Sequence, residues 1–187
     1  MDAFSYLSVL LSVILGLAIQ QVLQGYRALA LSRRNVRWYW PSIAWSAIIL
    51  AMVAQHWWGS FGLSERADWS FAVFATILVQ TALIYMMAAL VLPDVPAREE
   101  IDLKAHYHRE APVFFAVGSA VVAWSVLREV VLNGVLPGGA NLAFHLLFLA
   151  MSITAMLSRR EWLHKSFAVA MSALFLLYIS LLFSRLG

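Results

Sequence analysis

The chain has 187 residues, 63% apolar and only 12% charged, with a mean hydropathy of +0.80; a water-soluble domain carries about 25% charge, so most of this surface suits hydrocarbon rather than water. The formal charge of +3 is parcelled out between apolar runs instead of gathering on one face, which excludes a nucleic-acid-binding surface. Cysteine is absent, so disulfides, thiolate metal sites and cysteine nucleophiles are excluded as well.

Six runs reach the roughly 20 apolar residues needed to cross about 30 Å of hydrocarbon. They cover 4–31, 40–63, 69–92, 111–133, 140–157 and 163–184. Unpaired backbone is too costly in lipid and no run alternates like a barrel strand, so the expected fold is all-α. It is a polytopic membrane protein with six transmembrane helices in a single unit spanning 1–187.

The first run carries Asp2 where a secretory signal has a basic region, and it is too long for a signal core, so it is expected to stay as the first membrane helix. Along it Ser8, Ser12, Gly16, Gln20 and Gln24 recur every four residues, followed by Arg27. This stripe reads as close packing with interhelical amide bonds, or as one wall of a conduit. The second run begins at Trp40 and Pro41 and holds His56, about 24 Å from its start at 1.5 Å per residue. On the third run Gln80 lies mid-membrane, a natural partner for Gln20.

Between the third and fourth runs lies the one sizeable connection, 93–110, read as a cytoplasmic linker with a short helix after Pro96. Such a helix aligns Asp102, His106 and Glu110, a face with divalent-metal chemistry. The plainer reading is a solvated face on which Glu100 pairs with Lys104. The fourth run contains Trp124, Arg128 and Glu129, and the fifth contains His145. By axial counting, His56, Arg128, Glu129 and His145 share one depth. Arg128 and Glu129 point about 100° apart, so they are expected to pair with other helices; His145 is one partner for Glu129.

Ten basic residues fall on one side: Arg27, Arg33, Arg34 and Arg37, then Arg98, Lys104 and Arg109, then Arg159, Arg160 and Lys165. Only Arg66, Arg128 and Arg185 fall on the other. The positive-inside rule therefore places both termini on the non-cytoplasmic side of a bacterial inner membrane. Shifting the chain by 96 residues gives 11 identities over 38 positions, including SFAV at Ser70–Val73 and Ser166–Val169. That register implies two inverted three-helix halves, an arrangement common in secondary transporters.

No nucleotide-binding glycine loop, zinc-protease helix, nucleophile elbow or voltage-sensor arginine series is present. No nucleophile and base stand together as a unit, so an enzyme is disfavoured, and no cofactor or metal is assigned. Polar residues inside a membrane mark packing or a pathway. The expected function is transport or channelling of a small solute or proton, with His56, Arg128, Glu129, His145, Gln20, Gln24, Gln80 and Trp124 on the path. The alternatives are a non-catalytic membrane partner or assembly subunit, and a haem- or metal-binding redox protein using His56 and His145. Expected partners are the lipid bilayer, the transported species, and a second copy or another membrane protein.

Overall fold

A computed structural model describes residues 3–66, 68–94, 96 and 99–182 of the chain. Arg98, Arg185 and the end of the sixth predicted run, 183–184, lie outside the described residues. Six α-helices follow one another: α1 (Ala3–Leu31), α2 (Trp40–Ser60), α3 (Phe71–Val91), α4 (Leu103–Asn133), α5 (Gly139–Leu157) and α6 (Glu161–Leu182). A short 3₁₀ turn, Phe61–Leu63, extends α2. Two-residue strands β1 (Val36–Arg37) and β2 (Ile101–Asp102) pair in parallel.

Five of the six helices are long and apolar enough to cross a membrane, which fits a multi-pass membrane protein. The exception is α2. It has 21 residues, the length of α3, but Pro41, Gln55, His56 and three serines lower its hydropathy. These polar groups are turned mostly inward: α2 packs against α1, α3, α4 and α6, and Ser42, Ser46, His56 and Ser60 are among its nine buried side chains.

Local sequence sets the helix ends. Pro41 in the first turn starts α2. Ser70 caps α3 by accepting from the Val73 amide at 3.2 Å, and Asp102 caps α4 by accepting from Ala105 N–H at 2.9 Å. At the far end of α4, Gly134 takes φ 72° and its N–H bonds to Val130 O, the left-handed stop that glycine adopts without a Cβ penalty.

The fourth helix departs from expectation at its start. It begins at Leu103 and runs unbroken for 31 residues through Pro112, absorbing the last eight residues, 103–110, of the expected linker 93–110. Asp102 supplies the cap that allows this. Lys104 consequently pairs with Glu161 at 2.7 Å and not with Glu100. The Asp102 carboxylate also meets Arg37 at 2.7 Å. Its pKa lies below the usual carboxylate range, first because of the Ala105 amide and then because of Arg37.

At one end of the bundle three connections therefore meet: β1 with β2, Arg37 with Asp102, and Lys104 with Glu161. At the opposite end Arg66 donates to Leu132 O at 2.9 Å, tying the α2–α3 connection to the end of α4. The helices thus alternate in direction. The main core runs between them, with Ile49, Ile84, Leu103, Phe115 and Ala168 among its buried members.

The halves are not packed alike. Helix α1 runs closely along α3, whereas the corresponding α4 and α6 are not among the closely packed pairs. The matched SFAV motifs differ too, since Ser70 precedes and caps α3 while Ser166 sits inside α6. Small apolar residues recur in any packed membrane helix, which explains identities without symmetry.

Candidate functional site

Helices α2 to α6 enclose a cavity of about 130 Å³, roughly ten times the ~10–15 Å³ that one water requires. Its walls are polarised along the bundle. Towards one end lie Trp45 from α2 and Phe115 from α4, whose rings meet edge to face at 5.1 Å. Eleven residues further along α2 stands His56, which is about 17 Å at 1.5 Å per residue. With it line up Ser125 and Arg128 from α4 and His145 from α5. Between the two ends the walls are Ile84, Met87, Phe148, Met171 and Phe175, with Gln80 and Ser152 as polar interruptions.

His56 is buried and lies 3.0 Å from Thr81 Oγ1 through Nε2. The Thr81 hydroxyl already donates to Ile77 O at 2.9 Å, so Thr81 accepts and His56 Nε2 carries the proton. Its Nδ1 lone pair then has no hydrogen bond to any described residue. His145 is satisfied on both sides. Its Nδ1–H donates to Asn141 O at 2.8 Å and its Nε2 accepts from the Ser125 hydroxyl at 3.0 Å. The two rings therefore differ in kind: one offers a free acceptor to the cavity, the other is locked by its neighbours.

Gln80 donates through Nε2 to Val121 O at 3.4 Å, leaving its buried Oε1 without a partner. Arg128 has a buried Nε that also lacks a partner. Among the described residues no carboxylate lies within ion-pair distance of its guanidinium. An acceptor pair and a cation thus share one apolar cavity with unused hydrogen-bonding capacity. Orphaned buried groups of this kind are costly, and they concentrate where a bound species completes them.

The other residues singled out from the sequence lie elsewhere. Glu129 points away from the cavity and accepts from Asn133 Nδ2 at 2.6 Å, so it pairs with neither His145 nor Arg128. Trp124 is used in packing, its indole N–H donating to Thr76 O on α3 at 2.8 Å. Gln20 and Gln24 are exposed on the outer face of α1, where they share a shallow groove with Gly16 and Arg27. The expected Gln20–Gln80 bond is absent; Gln21, one step around the helix, bonds to Tyr85 Oη at 3.3 Å instead.

The metal face read on 93–110 is dispersed by other partners. His106 Nε2–H donates to Leu90 O at 3.1 Å, Asp102 is held by Arg37 and the helix cap, and Glu110 meets Arg109 at 2.7 Å. Among the described residues no group of three or more His, Asp or Glu side chains is close enough to hold a metal ion. The haem or metal reading through His56 and His145 fits poorly too, because both His145 nitrogens are already engaged.

One polar cluster escaped the sequence reading. His164, 1% exposed, donates through Nε2 to Ser158 O at 2.8 Å and accepts at Nδ1 from the Tyr107 hydroxyl at 3.1 Å. His108 packs edge to face on both Tyr107 and His164, and Tyr39 joins them. Burial pushes the Tyr39 phenol up to about 12, with the Glu161 charge adding to the rise. All of these groups are at the end where the three connections meet, and the cluster fastens α4 and α6 to the chain entering α2.

Comparison of the chain with family models, with curated proteins and with solved structures found no match.

Proposed function

We propose that the protein is a six-span transporter or channel for a small solute or proton, and that the cavity between α2 and α6 is its binding station. The carrying observation is the convergence of His56, Gln80, Arg128 and His145 on one cavity in an otherwise apolar bundle. Helix α2 counts as the sixth span in this reading. Its 21 residues extend about 31 Å, and its ends meet the same two groups of connections as its neighbours. The excess of Lys and Arg at the end where β1 and β2 pair marks that end as cytoplasmic, with both termini on the other side of a bacterial inner membrane.

A cavity-filling change tests the reading without removing a polar group. A Cβ at Gly118 stands 3.3 Å from the flexible end of Met87 and 3.8 Å from Ser152 Oγ, so Gly118→Leu puts its side chain into the cavity while the thioether gives way. In vesicles containing the purified protein, proton flux reported by trapped pyranine and uptake of radiolabelled 3-phenylpropionate and glycerol are measured beside protein-free vesicles. At least one flux is expected above background and at least tenfold lower in Gly118→Leu and in His56→Ala. Flux unchanged in both variants, or none above background, rejects the proposal.

A second reading, self-association, is favoured by the amide stripe on the outer face of α1. Gln20 and Gln24 each carry a donor and an acceptor, so they complement a second copy of themselves across a two-fold axis. Gly16 permits close approach there. Since the chain has no cysteine, Gln20→Cys gives a clean assay. A disulfide dimer is expected on oxidation in membranes, and a monomer under those conditions counts against self-association.

A further inference from the structure

The distribution of charge and hydrogen-bonding capacity in the cavity narrows what can occupy it, given the reading of the cavity as a binding station. Arg128 supplies one positive charge with no carboxylate in ion-pair contact among the described residues, the adjacent Glu129 being bonded to Asn133. A single guanidinium in apolar surroundings favours a negative group with paired oxygens, which matches its planar fork of donors. A cation is disfavoured by the same charge.

A multiply charged anion is disfavoured by the groups opposite. His56 presents Nδ1 as an acceptor once Nε2–H is committed to Thr81, and Gln80 presents Oε1. Two acceptors beside one guanidinium tolerate one negative charge and oppose a second. His145 and Ser125 are occupied with each other and add no further donor. The remaining wall, from Met87 and Phe148 to Phe115 and Trp45, is mainly apolar and aromatic, interrupted by Ser152 and by the unpartnered indole N–H of Trp45, and extends away from the charge along the bundle.

We infer that the cavity takes an amphiphilic monocarboxylate, with the carboxylate against Arg128 and the hydrocarbon body lying towards Phe115 and Trp45. The body excludes water from the ion pair, and the ion pair gives the charge selectivity that an apolar slot alone lacks. Such a carboxylate arrives either as a free fatty acid from the bilayer or as a small organic acid from water.

The test uses three probes with one apolar body: 3-phenylpropionate, 3-phenylpropan-1-ol and 3-phenylpropylamine. Each is titrated against the delipidated full chain in mild detergent, with binding read by calorimetry and by tryptophan fluorescence. The carboxylate is expected to bind saturably and at least tenfold more tightly than the alcohol, and the amine not at all. Arg128→Gln is expected to bring carboxylate and alcohol within twofold of each other, while Arg128→Lys keeps the preference.

Should Arg128→Gln fail to fold, the three-probe series on the unmodified chain and on Arg128→Lys still decides. Fatty acid extracted in stoichiometric amount from protein purified without delipidation identifies the bilayer as the source. Its absence, with 3-phenylpropionate still bound, identifies water. Equal binding of carboxylate and alcohol by the unmodified chain, or no binding of the carboxylate, overturns the inference. Either result leaves the transport reading standing if Gly118→Leu still blocks flux, whereas unaffected flux in Gly118→Leu removes the transport reading whatever the charge series gives.

Discussion

His164→Ala is expected to lower the stability of the folded chain by about 2–4 kcal/mol, from the two buried groups it strands and the void it leaves. The Tyr107 hydroxyl loses its acceptor and Ser158 O loses its donor. Neither is easily rescued, because the ring they share is 1% exposed and packed against Tyr107, His108 and Phe115. Tyr107→Phe removes only the hydroxyl and should cost about 1 kcal/mol. The pair is expected to be non-additive, since the double variant has no Tyr107–His164 bond left to break. Unfolding by added sodium dodecyl sulfate in mild detergent, followed by tryptophan fluorescence, measures all three. A loss under about 0.5 kcal/mol for His164→Ala would show that water replaces the ring's bonds at that end of the bundle.

Gly25→Leu is expected to separate α1 from α3. A Cβ at Gly25 falls 2.7 Å from Leu92 Cδ1 and 2.8 Å from Leu92 Cβ, too close for contact between carbons. The first atom can swing aside, but the second is fixed to the backbone and cannot. Gly25→Ala should therefore cost about 1–3 kcal/mol from overpacking, and Gly25→Leu more. Leu92→Ala removes the Cδ1 contact and leaves the Cβ contact, so combined with Gly25→Ala it should recover part of the loss. Leu92→Gly should recover more of the contact strain. The same detergent titration reads these variants, and a Gly25→Leu chain as stable as the parent would mean that α1 and α3 are free to slide past one another.

Both sites also mark where sequence reasoning reached its limit. Gly25 stands beside the stripe Ser8, Ser12, Gly16, Gln20 and Gln24, on the adjoining face where Ala18 and Val22 are buried. His164 follows the Arg159–Arg160 pair at the start of the sixth apolar run, where nothing local assigns it a role. Its distance from His108 in the chain hid their packing. The one local signal was a histidine early in an apolar helix, and that signal is weak without its partners.

Height along a helix is legible from sequence because each residue rises by about 1.5 Å whatever surrounds it. That regularity brought His56, Arg128 and His145 to one level by counting alone, and they do line one cavity with Gln80. The same counting put Glu129 at that level, and Glu129 turns instead to Asn133. Gln20 and Gln24 were assigned inward and face outward, while Gln21 is the residue that reaches α3.

By itself, then, the sequence determined an all-helical chain with apolar runs of membrane-spanning length, because hydrophobicity and backbone pairing act locally. The rotation of each helix about its axis was decided only in the tertiary structure. So were the early start of α4, the pairing of β1 with β2, and the identity of each buried polar partner. Those depend on side chains distant in sequence meeting across the bundle, and a turn of 100° per residue moves a group from a cavity to an outer face.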